Sequence, residues 1–373
     1  MALPALAEAV RRFPLLGRPR PACPPLPVRI REVIQNVEAA QDDEDTSQVN
    51  AAHALNKAAL IASDSGMTGY ARDLCLQHID AYCDLTRPLR ISEARFLLEP
   101  VLNLARLHLR AHRTSEAIQL LDQMYTAVTH HHDLTVDSRT LPLGRLVGEH
   151  HERRQLLEWV WLQLVSEGVR AYALASRWDE AARHADRHKG IGVHLMEGRQ
   201  AAIIASCMAN SFAAANALLA KTTPTQPWER EISACLQLMT TEPDDPRLLR
   251  HIKSATIHYT ERPATPGYHS YRVRLGLTIA TLAHPTQPEL ANELINRVVE
   301  DALDSADGYA ARDAHSLRTF NEGISSDQHS RLRRLMTDSG LGVRSLPDTT
   351  HHELKKAATE AAATLRIALV SAS

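Results

Sequence analysis

Two stretches of this chain can be laid on each other at an offset of 34 residues, Ala175-Ser-Arg-Trp178-Asp-Glu-Ala181-Ala182 on Ala209-Asn-Ser-Phe212-Ala-Ala-Ala215-Asn216. The overlay puts Ala175 on Ala209, Trp178 on Phe212 and Ala181 on Ala215. Self-similarity at that period marks a stacked helix–turn–helix unit, which buries its apolar face only against a neighbouring copy. Related turns are Ala111-His-Arg-Thr114 leading to Ala117, Ala283-His-Pro-Thr286 leading to Ala291, and Ser65-Gly-Met-Thr68 leading to Ala71. A small residue early in the second helix lets that helix approach the first, and a larger one would push the pair apart.

From Val28 onward the apolar spacing is almost wholly helical. Over Val28–Ala40, for example, Ile30, Val33, Ile34 and Val37 share one stripe. The spacing predicts the pairs Ser47–Ser65 with Thr68–Cys83, Ser92–His112 with Ser115–His130, and Glu152–Ser176 with Asp179–Lys189. Leu195–Asn210 with Phe212–Lys221, Gly267–Ala283 with Pro288–Leu303, and a C-terminal set follow. Aromatic residues are 4% and glycines 15 of 373, too few for a large sheet core or a turn-dense β protein. The acidic run Asp42-Asp43-Glu44-Asp45 reads as a capping turn, with Asp45 or Thr46 as the cap. His131–His150 exceeds ordinary loop length, so it is expected to be functional or mobile. Thr222–Pro227, with two prolines, is expected to kink the array. The helix over Thr350–Val370 carries Leu354, Ala358, Ala361, Ala362, Leu365 and Leu369 on one stripe, as a cap closing the array or a helix joining two copies would.

Residues 1–27 hold seven of the 19 prolines and four arginines. A short helix over Ala2–Arg12 and then an extended arm are expected. Arg11-Arg12 lacks the apolar stretch of an export signal after it. The expected organisation is therefore a Pro- and Arg-rich arm over 1–27, repeats over 28–221, and further helical hairpins with the C-terminal capping helix over 222–373.

At Glu167–Lys221, and more loosely at Ser47–Val128 and Arg272–Leu303, the chain resembles the tetratricopeptide repeat (TPR) family. Tyr172, nine residues before Ala181, stands where that family places an aromatic. The family's early Trp, paired Leu-Gly and closing Pro are mostly absent, and the spacing from Ala71 to Ala117 to Ala181 is irregular. A stack of right-handed helical hairpins outside that family would carry the same signal. The resemblance implies an all-α, TPR-like right-handed helical-hairpin solenoid whose first helices line a concave groove for a peptide or partner protein. Catalysis is uncommon in the family.

The chemistry of the side chains fits a binding role. The formal charge of −2 argues against a protein built mainly to hold nucleic-acid phosphates, and no apolar run approaches a membrane span. Five cysteines without C-x-x-C spacing point to buried thiols in a reducing cytoplasm. No nucleophile elbow or phosphate loop occurs, and no cofactor is implied. Histidine clusters at His130-His131-His132-Asp133, at His150-His151, at His184 with His188 and at His351-His352 keep a metal-dependent hydrolase as the alternative from another class. Arg145, Arg153 and Arg154 with His150 and His151 form a basic patch. The candidate groove residues are Asn56, Lys57, Asn103, Arg106, Arg170, Tyr172, Arg199, Arg272 and Arg274, whose amides and cations suit a peptide's backbone and carboxylates. A regulatory or scaffolding role is expected, or that of a peptide- or small-molecule-sensing regulator acting through a partner.

Overall fold

The structure, a computed structural model, describes residues 3–15, 19–83, 85–262, 265–316 and 324–371. Leu16, Gly17 and Arg18 of the expected arm, and Phe320, lie outside these. Among the described residues are seventeen helices and four short strands, so the all-α class holds. They run α1 (Leu3–Arg12), α2 (Leu26–Asp42), α3 (Glu44–Asp64), α4 (Thr68–Cys83), β1 (Leu89–Arg90), α5 (Ile91–Arg110) and α6 (Thr114–His130). Then come β2 (Leu134–Val136), β3 (Arg139–Leu141), β4 (Leu146–Val147), α7 (His150–Leu174), α8 (Trp178–Arg187), α9 (Glu197–Met208) and α10 (Phe212–Ala220). The last are α11 (Pro227–Met239), α12 (Leu248–Thr260), α13 (His269–Ala283), α14 (Pro288–Asp304), α15 (Gly308–His315), α16 (Ser326–Asp338) and α17 (Asp348–Ser371).

Five hairpins share one turn. In α3/α4, α5/α6, α7/α8, α9/α10 and α14/α15 a left-handed residue ends the turn's first half: Gly66, His112, Ser176, Asn210 and Ala306. In four of them the next N–H reaches back five residues to a first-helix carbonyl: Met67 to Ala62, Arg113 to His108, Arg177 to Tyr172 and Ser211 to Ser206, at 2.8–2.9 Å. These bonds occupy carbonyls that a helix end otherwise leaves open. Five positions after each left-handed residue comes an alanine, Ala71, Ala117, Ala181, Ala215 or Ala311, and all five are buried. The α13/α14 turn differs. It runs through Pro285, and the N–H groups of Thr286 and Gln287 both donate to Ala283 O.

The chain divides into two compact units, one of residues 25–164 with 340–373 and the other of 1–24 with 165–339. The division thus falls within α7 and pairs each terminus with a distant stretch, unlike the sequential arm, repeats and hairpins expected from sequence.

In the first unit α3 packs on α2, α4, α5 and α17, and α17 also lies on α2 and α4. The α17 stripe of Leu354, Ala358, Ala361, Ala362, Leu365 and Leu369 is fully buried in this packing. Gly342 N–H donates to Asp64 O and Arg344 N–H to Ser65 O, which docks the segment ahead of α17 on the end of α3. Beneath them the buried Asp64 carboxylate accepts from Arg29 of α2 at 2.7 Å and from Arg110 of α5 at 2.9 Å. The cap of α3 is Asp43, which accepts from Asp45 N–H and the Thr46 hydroxyl, rather than Asp45 or Thr46.

The 131–150 stretch is ordered secondary structure, not a long loop. β2 and β3 pair antiparallel through Asp137 and Ser138, both at positive φ, the geometry of a two-residue hairpin turn. β4 pairs parallel with β1. Leu134, Val136, Leu141, Leu143 and Leu146 are buried, so apolar burial holds the segment in place.

In the second unit α13 is the centre, packed by α14, α1, α15, α12 and α11. α1 forms as expected, and its stripe of Leu6, Ala9 and Val10 is buried with Phe13. The described residues from 19 to 25 are tied to the fold and are not a loose arm. Arg20 N–H donates to Gly267 O, Cys23 N–H to Asp307 Oδ1, and Cys23 O accepts from Gly308 N–H and Ser339 Oγ. Gly276 lets α13 meet its neighbours: a Cβ there would lie 2.3 Å from Val298 and 2.9 Å from Tyr259. Pro227 opens α11, so the Thr222–Pro227 break is a connection between helices.

Candidate functional site

Four of the nine candidate residues come together in the first unit. The sequence places Asn56 and Lys57 on α3, and Phe96, Glu99, Asn103 and Arg106 at helical spacing along one face of α5. Arg106 donates to Asn103 Oδ1 at 3.3 Å, Asn103 Nδ2 donates to Asn56 Oδ1, and Asn56 Nδ2 donates to Glu99 Oε2 at 2.8 Å. The result is a hydrogen-bonded chain that crosses from α5 to α3 and returns. Lys57 pairs with Glu32 at 3.3 Å. All four polar residues of the ladder are half-buried, so each is held on one side and open on the other.

Sequence reasoning missed the groups that complete this face. His53 of α3 and Phe96 of α5 meet edge to face at 5.9 Å. The Arg95 guanidinium lies over Trp159 of α7 at 5.6 Å. Burial pushes the Glu99 carboxyl upward, while Arg95 and Arg106 draw it down. Burial, with Lys57 and Arg95 nearby, lowers His53 and keeps it neutral near pH 7. The face therefore offers amide donors and acceptors, three cations, one carboxylate already bonded, and two aromatic edges. The spacing of Phe96, Glu99, Asn103 and Arg106 was the available signal for it.

The other five candidates lie in the second unit. Arg272 is 4% exposed, with its guanidinium between Glu231 (3.8 Å), Asp301 (3.6 Å) and the Tyr259 carbonyl (3.0 Å). It is a packing residue of α13, buried because that helix is enclosed on nearly every side. Arg199 is also buried and donates to Lys221 O at 3.1 Å. Tyr172 packs beside His184, with Arg177 over its ring at 5.2 Å. Arg274 donates from Nε and Nη2 to the carbonyls of Arg12 and Phe13, closing the C-terminal end of α1. It shares a cleft with Arg170.

The histidine clusters stay separate. Among the described residues no three of His, Cys, Asp and Glu converge as a metal site. His184 is buried, and Gly168 leaves room for its ring: a Cβ there would sit 2.0 Å from Nε2. Arg153 is occupied within the fold, donating to Leu146 O and meeting His131 Nδ1 at 3.1 Å. Four cysteines are buried and Cys83 half-buried, and burial raises the Cys75 and Cys207 thiols to about 12. Among the described residues no helix is long and apolar enough to cross a membrane.

No family model matches the chain, and neither a curated protein nor a solved structure matches it.

Proposed function

We propose that the chain is a non-catalytic, TPR-like binding protein that recognises an extended peptide segment of a partner protein on the α3–α5 face. Its role is regulatory or scaffolding, exercised through that partner. The observation that carries the reading is the ladder Arg106–Asn103–Asn56–Glu99, which fixes two amides at the surface of adjacent helices. A side-chain amide offers one donor and one acceptor group, as a peptide unit does, so a pair held in place can bond an extended backbone without first paying to be ordered. Lys57, Arg95 and Arg106 against Glu99 and Glu32 leave a net positive surface, which favours a segment with an acidic residue. The α3/α4 and α5/α6 turns of the same unit support such a face.

The test is selection from a displayed peptide library against the full chain, followed by binding of the winning peptides to Asn103→Ala and Asn56→Ala. Enriched acidic segments whose affinity drops by about tenfold or more in either variant, at unchanged melting temperature, support the reading. A selection that enriches nothing, or peptides that bind both variants like the wild type, would overturn it.

A further inference from the structure

We infer that the second unit carries a separate site for a small organic anion in which a carboxylate is joined to an apolar body. No residue of this site belongs to the α3–α5 face, and the inference does not rest on peptide recognition there.

The site is a cleft open to solvent between α1 with Phe13, Leu15 and Arg20, the end of α7 and the start of α13. Its walls have two characters. Phe13, Leu174 and Trp178 supply apolar surface, while Arg20, Arg170 and Arg274 bring guanidinium groups from three separate stretches of chain. Ligand pockets have this composition: an apolar lining with a few convergent polar groups.

Four arginines, Arg11, Arg20, Arg170 and Arg274, line the cleft, against two carboxylates among the described lining residues, Glu197 and Asp307, and Arg11 pairs with Glu8 at 3.6 Å. Asp307 has Oδ1 held by the N–H groups of Cys23 and Tyr309, each at 2.9 Å. Arg20 lies over the Tyr309 ring at 4.0 Å, which fixes its plane. Arg274 spends Nε and Nη2 on the end of α1, and no bond from its Nη1 occurs among the described residues. Burial lowers the Arg274 pKa, Asp313 opposes that, and Arg312 and Arg20 lower it further. A bound anion would relieve this crowding of cations.

The apolar walls argue for a small amphiphile over a polyanion, which would need an extended basic track. The fork of a guanidinium fits a carboxylate in bidentate fashion. Arg274 both lines the cleft and holds α1, so occupancy is coupled to the docking of that helix.

The experiment is titration calorimetry of the full chain with decanoate, decanol and acetate, with Trp fluorescence as a second readout. Decanoate is expected to bind once per chain, about tenfold or more tighter than decanol or acetate. Arg170→Gln and Arg20→Gln should each weaken decanoate by about tenfold at unchanged circular dichroism. Arg274→Gln risks detaching α1, and the other two variants keep the test independent of that risk. Equal affinity for decanoate and decanol, decanoate binding untouched by both variants, or no saturation below about 1 mM would each overturn the inference.

Discussion

His78 sits inside the first unit with nothing to bond. It is 1% exposed on α4, its ring 6.0 Å from that of Tyr82, and neither ring nitrogen has a partner among the described residues. Burial, and secondarily His53, lowers its pKa from 6.5 to about 3. The native imidazole is therefore neutral over a range in which the unfolded one is protonated. Below pH 6.5 the unfolded state binds a proton that the native state refuses, so stability falls as the pH drops, by about 1.4 kcal/mol per pH unit, until the native ring titrates near 3. Between pH 7 and 4.5 this one residue should cost about 2.7 kcal/mol. His78→Leu removes both the titration and the orphaned ring N–H, whose burial costs about 1–3 kcal/mol at any pH. Hydrogen exchange of the α4 amides, corrected for intrinsic rates, measures the opening free energy of this unit at each pH. The variant should equal or exceed the wild type at pH 7, and its advantage should grow by about 2.7 kcal/mol at pH 4.5. His53 and His108 are also lowered by burial, and their contribution is common to both proteins and drops out of the difference. An advantage that is the same at both pH values would refute the reasoning, since the ring would then have to take a proton or a partner in the native state.

Asp64→Ala should destabilise the first unit by about 3–5 kcal/mol in urea unfolding, because it removes the buried carboxylate that Arg29 and Arg110 share. Ala181→Trp should lower the melting temperature through overpacking worth about 1–3 kcal/mol, and an unchanged melt would count against the close approach of α8 to α7. Ser176→Gly should raise stability by about 0.5–1 kcal/mol by relieving a left-handed serine, whereas Asn210→Gly should be near neutral, as thermal melts of the pair would show. Glu229→Gln should cost about 2 kcal/mol, since the carboxylate accepts from Leu195, Thr225 and Gln226 N–H groups. Although burial alone would raise the Glu229 pKa, these donors lower it, so its stabilisation is complete above about pH 4.5 and is lost as pH falls through the native value, which an acid titration of the melt would reveal.

The hairpins were legible because their turns are local. A left-handed residue, a five-residue return bond and an alanine five positions on are all written within one stretch of chain, and α4, α6, α10 and α14 fall within a residue or so of their expected limits. What is not local was hidden. α11 and α12 went unseen because each spans only 13 residues, α11 after the Thr-rich 222–226 and α12 after the Pro- and acid-rich 242–246. β2 and β3 pair through just three residues each, and their alternation Leu-Thr-Val then Arg-Thr-Leu was a weak signal. The return of α17 to α2–α4 and of α1 to α13 joins residues from opposite ends of the sequence, which periodicity cannot report. The same limit separates the candidate residues. Asn56, Asn103 and Arg106 lie on helices with one apolar face, so their polar side was readable. Arg272 precedes Val273, Leu275 and Leu277 on a helix buried almost all round, and there an arginine must find internal partners.

The amide ladder poses a question that stability alone does not answer. A half-buried side-chain hydrogen bond adds only about 1 kcal/mol net, and burying a leucine in its place would contribute at least as much through apolar area. On the same two helices Ala58, Ala62, Leu98, Leu102 and Ala105 are already packed in the core, so α3 and α5 would stay together without the ladder. Positions where a polar network displaces an equally good apolar contact are where a fold trades stability for recognition. Asn103→Leu should therefore leave the melting temperature of the first unit equal or higher while abolishing peptide binding on this face. Losing more than about 1.5 kcal/mol of stability would instead assign the ladder to the scaffold, because removing one member would then have exposed a structural dependence that the core packing of the two helices does not predict.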